Sequence, residues 1–545
     1  MYLPKLTSQD QVYDVCVVGA GPSGLTVALE CEAAGLSVLL VEAGREQMQI
    51  EGLGDVEILD AARHPSLEVV TRSGLGGTSS IWGGRCVPFD DVDFERRSFV
   101  PNSGWPLSHD EIKPWYRKAC EYLDCGTGEF SSPAPWWNEE GVVAQSVERL
   151  SAQPRLGIRF KDRISKSRRL RVSLGYVVSA LNLDDAGNSV NTISLAGGKA
   201  SDSLPKARFF VLACGGLQTT RILLDLQRLS PHRFGDDGGP LGRFYMGHLT
   251  GKIASLVLND QSNVEDFDFV RDVNGYWCRR RFSFSAKTQI EQQLLNTVFW
   301  LGNPPFHDPS HGSAAASLIY LGLALPLAGR FLSNETFAFH RGMKPSPLAR
   351  HAANILKKPL EAVGSIAALV DHRLTPDNLR PFFLRNGSGR YALHYHAEQI
   401  PSPTSRVKLT PGHGNGDRLT IDFRFSQDDA HSVVRAHEIL DKALRRSGKG
   451  YLEYYQRAEE RLTEVLAQAI DGYHQIGTTR MGEGESSGVV DRNCRVHGLD
   501  NLFLAGSSVF PTSGQANPTF LTVALASRLA EHLRKQRAGQ TVIAG

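Results

Sequence analysis

The sequence predicts an α/β fold in two parts, on three observations. A short apolar run near the start passes through a glycine-rich turn into a helix and a second apolar run. Further glycine-punctuated strand–helix blocks recur at residues 207–224 and 501–533. The stretches between them, about 100–160 and 250–470, carry most of the aromatics and alternate as antiparallel strands do. A discontinuous nucleotide-type domain, with a sheet-containing domain inserted into it, accounts for all three.

Val15 to Val18 is β-branched and bounded by glycine, as a strand buried on both faces should be. Gly19, Gly21 and Gly24 follow at G-x-G-x-x-G spacing, Leu25 to Ala34 reads as helix, and Ser37 to Val41 as a strand ending at Glu42. Gly19 permits the tight turn, Gly21 lets backbone approach a pyrophosphate, and Gly24 lets helix pack on strand. The helix start offers N–H groups and a positive dipole end to phosphate. Glu42, eighteen residues after Gly24, is placed to accept a ribose hydroxyl. An acid there, without a neighbouring Arg, argues against a 2′-phosphate. No second complete fingerprint is present.

"SGLGGTSSIWGGRC" (Ser73 to Cys86) is rich in glycine and hydroxyls, suited to wrapping a polar ligand with backbone N–H groups. "ARFFVLACGGLQTTRILL" (Ala207 to Leu224) reads as strand, turn and helix start. "NLFLAGSSVFPTSGQANPTFLTVALASRLAEHL" (Asn501 to Leu533) reads as strand, loop and a helix opening at Pro518. "RYALHYHAEQI" and "RLTIDFRFS" alternate as strands, so His394 and His396 share one face. Lining a substrate cavity is one reading of that pair and a solvated sheet face another. A metal site lacks a nameable third ligand. "RRR" (Arg279 to Arg281) reads as a solvated run, unless a carboxylated or phosphorylated substrate uses it. His248 in "GRFYMGH" is expected to end an element and receives no chemistry.

The 545 residues exceed one ordinary core. Sixty basic against 58 acidic residues leave +2, so nothing global draws nucleic acid or an anionic membrane. Eight scattered cysteines point to free thiols in a reducing, cytoplasmic setting. Cys120 and Cys125 are expected to face apart on a helix rather than form a redox pair. The N-terminus shows no secretory pattern. Ser313 to Gly329 is uncharged, short for a membrane span and interrupted by Pro326, so a buried helix or interface lid is expected.

Six ordered blocks resemble the glucose-methanol-choline (GMC) oxidoreductases: "VVGAGPSGL…VEAG", "GLGGTSSIWGG", "VLACGGLQTTRILL", "PTSRVKL", "YHQIGTTRMG" and "GSSVFPTSGQANPTFLTVALA". The last two look closest to the branch of pyranose oxidase and related sugar or glycoside dehydrogenases. The resemblance implies a Rossmann-type FAD domain over 1–100, 160–250 and 475–545, and a substrate domain over 101–159 and 251–474. It implies cofactor contacts at Gly19, Gly21, Pro22, Ser23, Gly24, Glu42, Gly76, Gly77, Thr78, Ser79, Trp82, Gly83, Val178, Ala213, Gly506, Ser507, Pro518 and Thr519. It implies His474 as the base for the substrate hydroxyl, with Asn517 its partner. His394 and His396 are the substrate-side candidates, and no metal is expected. Some members tether FAD through a histidine where this chain has Ile81, so non-covalent FAD is expected. Trp82 replaces an asparagine found in many members. The expected reaction is oxidation of an alcohol, a secondary hydroxyl of a sugar or glycoside, with O2 or another electron acceptor. A sterol-like alcohol, a lyase using FAD structurally, and a subunit of an electron-transfer complex are the alternatives; a small partner subunit or a homo-oligomer stays open.

Overall fold

The computed structural model describes residues 12–45, 55–196, 205–260, 262, 264–323, 347–360, 363–364, 383–385, 388–412 and 416–543. Five parallel strands form the first sheet, in the order Leu502–Leu504, Lys206–Leu212, Val12–Val18, Val38–Glu42 and Leu170–Leu174. Val15, Val17, Leu39 and Val211 have no exposed surface, as expected of strands covered on both faces. The helix Pro22–Ala33 crosses between the first two strands, with proline in its first turn. A Cβ on Gly24 would lie 1.9 Å from the Gly19 carbonyl oxygen, so only glycine permits this approach.

A second sheet is antiparallel, in the order Thr297–Gly302, Arg390–Glu398, His248–Leu258 and Gly450–Tyr454. The helix Gln427–Arg446 buries Val433, Ala436, Leu440 and Leu444 at helical spacing within the hydrophobic cluster of that sheet. Register puts Thr250 opposite His396, Val298 opposite His396 and Trp300 opposite His394. His248, His396, His394 and Trp300 therefore share one face. A third antiparallel sheet runs Phe269–Arg271, Trp277–Arg280, Val147–Leu150 and Arg85–Cys86.

His437, on the buried face of Gln427–Arg446, gives a pH prediction. Its Nδ1–H donates to the Val433 carbonyl at 2.8 Å, and Phe299, Tyr395 and Tyr454 pack around it with Arg461 nearby. Burial pushes the imidazole down to about 4 from 6.5. Between those values the unfolded chain binds the extra proton, so stability falls as pH falls through this window, by about 3 kcal/mol from this group. Urea midpoints should drop across that range, and more shallowly in His437→Gln.

Two sequence expectations change here. Cys120 and Cys125 do not face apart: the helix Tyr116–Leu123 stops at Asp124 in the left-handed conformation, which turns the chain back. Their thiols reach each other, with Cys86 against Cys125, and these contacts with burial push the Cys120 thiol up. Arg279 to Arg281 are not solvated; Arg281 is 1% exposed. Of the uncharged segment, Ala314–Leu323 is a helix against Leu348–Lys357, its Tyr320 stacked on His351; residues 324–329 lie outside the described residues. Among the described residues no helix is long and apolar enough to cross a membrane.

Candidate active site

A cleft opens at the carboxyl ends of the parallel strands. Gly19, Gly21, Pro22 and Ser23 form one wall, Glu42 and Val178 another, and Ala213, Gly506, Ser507, Pro518 and Thr519 a third. His474 stands on the same wall system, so the dinucleotide turn and the histidine face one space. Gly19 adopts φ +101°, and a Cβ there would sit 2.4 Å from the Ala213 carbonyl oxygen. A Cβ on Gly21 would meet no protein atom within 4 Å, which leaves the backbone open to a ligand. No side chain caps Pro22–Ala33, so its first-turn N–H groups stay available for phosphate. These features fit FAD.

The Ser73–Cys86 loop divides. Gly77 and Thr78 line the cleft. Gly76, Ser79, Trp82 and Gly83 stand off its walls and shape the turn instead. Gly76 N–H donates to the Ala20 carbonyl at 2.8 Å, Ser79 Oγ–H to Gly76, and Trp82 Nε1–H to Pro154 at 2.7 Å. Gly83 is exposed. Gly24 works through helix packing. Glu42 lines the cleft, yet its carboxylate accepts three backbone N–H groups: Ala20 at 2.7 Å, Gly44 at 2.9 Å and Gly74 at 2.8 Å.

At the other end, Asn517 Nδ2–H donates to His474 Nε2 at 2.9 Å. The Asn517 Oδ1 is buried and, among the described residues, meets no donor. An orphaned acceptor beside an imidazole fits a ligand hydroxyl. His474 Nδ1 lies 2.7 Å from Asp471 Oδ2; a carboxylate only accepts, so Nδ1 carries the proton and Nε2 the lone pair. Asp471 Oδ1 accepts N–H from Gly472, Tyr473 and His474, fixing the turn. Burial alone would raise this carboxyl, but His474 and His248 hold it well below the usual range. It stays ionised.

Sequence reasoning missed Asp471 and gave His248 no role. His248 Nε2–H donates to Ser513 at 3.2 Å and its Nδ1 lies 3.0 Å from His474 Nδ1. His396 stacks on His248 at 4.2 Å, and its Nδ1–H donates to Gln515 at 2.7 Å. Burial, His248, Arg85 and His474 drive His396 well below the ordinary histidine range; burial lowers His248 too. Both are neutral. His394 lies farther along, stacked on Trp300, so the structure brings His396 to His474 and leaves His394 outside. The signal for Asp471 was its place three residues before His474, the spacing of a side chain that accepts from its own turn.

Known proteins share parts of this sequence and this fold. Residues 401–526 match the GMC oxidoreductase family model and residues 14–50 the FAD binding domain model. The chain is similar to 6'''-hydroxyparomomycin C oxidase of Streptomyces lividus, 25% identical across 97% of this chain and 93% of that one. It is similar to C-glycoside 3-oxidase of Arthrobacter globiformis, 38% identical over 22% of this chain and 21% of that one. Its fold matches the crystal structure of pyridoxine 4-oxidase from Mesorbium loti, with TM-score 0.52, 18% identity, and 95% and 99% of the two chains covered. The ordered motifs, the parallel sheet and the two partial family matches together support an FAD-dependent oxidoreductase of the GMC type acting on CH–OH groups.

Proposed function

We propose that the chain oxidises a secondary hydroxyl of a sugar or glycoside, with His474 as the base. The observation that carries this reading is His474 Nε2, with its lone pair, beside Asn517 in the cleft that holds the dinucleotide turn. Whole-length relatives oxidise aminoglycosides by name, 6'''-hydroxyparomomycin C and paromamine, and shorter matches include C-glycoside 3-oxidase and pyranose 2-oxidase.

Bound FAD would supply the two-electron acceptor for the carbinol hydride. The substrate hydroxyl replaces Asn517 Nδ2–H at His474 Nε2, Asn517 orients the hydroxyl oxygen through the amide N–H thus released, and His474 Nε2 takes the proton. Asp471 stabilises the imidazolium that results, as an oriented carboxylate does in other base–carboxylate pairs. His248 and His396, held neutral by burial, keep a second positive charge away from it.

The proposal extends to the cofactor and the domains. FAD is held without a covalent tether, since Ile81, 44% exposed, offers no nucleophile. Residues 1–100, 160–250 and 475–545 form the FAD domain and 101–159 with 251–474 the substrate domain; in support, the parallel sheet takes all its strands from the first set and the antiparallel sheet takes its strands from the second, save that His248–Leu258 begins three residues before the bound. Eight free cysteines fit a reducing, cytoplasmic compartment.

Anaerobic addition of sugars and glycosides to the yellow holoenzyme tests the reading. Bleaching of the flavin band by at least one is expected, and none by any would refute it. Acid precipitation should release FAD to the supernatant, and an oxygen electrode then decides between O2 and another acceptor. A second reading, a metal centre, rests on His248, His396 and His474, whose candidate ligand nitrogens lie within 4.8 Å of one another. Stoichiometric zinc in purified holoenzyme would favour it.

A further inference from the structure

Three guanidiniums, of Arg85, Arg279 and Arg281, cluster beyond the His396 face of this site, and among the described residues one carboxylate touches them. Glu148, 1% exposed, accepts from Arg279 Nε at 3.0 Å, and Arg85 Nε also reaches it. Among the described residues Arg281 has no acid in contact: it donates to Gln515 Oε1 at 2.8 Å and Ser146 Oγ at 2.7 Å. Asp90 accepts from Gln515 Nε2 at 3.2 Å and so acts on Arg281 through an amide. The set retains an excess positive charge on largely buried side chains, which is costly unless a counter-ion visits.

The three are not equivalent. The Arg279 fork is committed to Glu148 directly across the sheet, between the rings of Phe269 and Trp300. Arg281 is committed to Gln515 and Ser146. Arg85 is not: among the described residues its Nη2 is buried and meets no acceptor, while its side chain keeps 17% exposure. It follows directly on the Gly-rich loop of the cofactor cleft.

The cluster adjoins the reacting groups. Arg85 Cζ lies 4.3 Å from the Trp300 ring centre. Trp300 tilts against His396 at 6.4 Å, and His396 in turn faces His474 at 5.9 Å. Arg281 holds Gln515, which accepts from His396 and stands two residues before Asn517.

We propose that Arg85, backed by Arg279 and Arg281, is a subsite for an anionic oxygen group, carboxylate or phosphate ester, on the alcohol substrate. This deepens the proposed function and rests on it for the word substrate. A guanidinium fork with a free edge matches either group. The same charge disfavours polyamino sugars, so the substrate differs in charge from those named for the aminoglycoside relatives.

Two measurements on the holoenzyme test the subsite. In the first, inorganic phosphate and glucuronate are titrated into oxidised enzyme while the flavin band is followed. A saturable perturbation is expected, lost in Arg85→Met and weakened in Arg85→Lys. In the second, anaerobic flavin reduction is compared among methyl glucoside, glucuronate, glucose 6-phosphate and glucosamine. One or both anions should exceed the neutral glycoside in kcat/KM by about tenfold or more, with glucosamine slowest. Arg85→Met should bring anion and neutral within about twofold, chiefly by raising KM for the anion. Which anion wins decides between carboxylate and phosphate. Glu148 keeps Arg279 as partner, so the variant is expected to fold, and its FAD content checks that. Equal rates for anionic and neutral sugars, or an anion preference that survives Arg85→Met, overturns the subsite. Absence of bleaching with every sugar, alongside an Arg85-dependent perturbation by anions, refutes the sugar reading and supports the subsite.

Discussion

His474→Ala is expected to slow anaerobic flavin reduction by about two orders of magnitude or more while FAD content stays at the wild-type level. The split follows from position. Nε2 faces Asn517, whereas the ring packs against His248 and Asp471 and makes no part of the dinucleotide turn. Removing the ring deletes the proton acceptor and leaves the Asp471 contacts to the Gly472, Tyr473 and His474 backbone in place, so the turn keeps its shape. Stopped-flow absorbance at saturating substrate reads the reduction step directly. Unchanged reduction would remove His474 from the chemistry.

Gly24→Ala is expected to give protein with little or no flavin, and Gly21→Ala folded protein that binds it weakly. The new Cβ at position 24 would sit 1.9 Å from the Gly19 carbonyl oxygen and 3.2 Å from the Ala213 side chain. The first neighbour is backbone, which gives way only if the helix leaves the sheet, at a cost of about 4 kcal/mol or more. At position 21 the added carbon meets no protein atom within 4 Å, so any loss there is loss of room for the ligand. The absorbance ratio of the flavin band to the protein band, with a thermal midpoint for each variant, separates the two effects. A fully yellow Gly24→Ala protein would place the cofactor elsewhere.

The cofactor half of the fold was legible because its signals are local. A buried strand, a turn that needs glycine at φ +101° and a helix packed through Gly24 all lie within about twenty residues, so spacing alone carries them. The His474–Asn517 pair came from motif resemblance, and the two side chains do meet. What stayed hidden depends on strand register. His248 joins the site because its strand pairs with Arg390–Glu398, stacking the ring on His396. Arg279 reads as part of a solvated run until Glu148 is found opposite it on a strand more than a hundred residues earlier. Of the contacts proposed in the Gly-rich loop, Gly77 and Thr78 line the cleft and Gly76, Ser79, Trp82 and Gly83 do not, a division that loop composition alone does not reveal.

Glu42 has a consequence for what a substitution there would undo. Its carboxylate gathers the Ala20, Gly44 and Gly74 amides, three pieces of chain that the phosphate turn needs side by side. One buried side chain thus staples the turn, the end of the second strand and the Gly-rich loop to one another, so shortening it would orphan three amides at once.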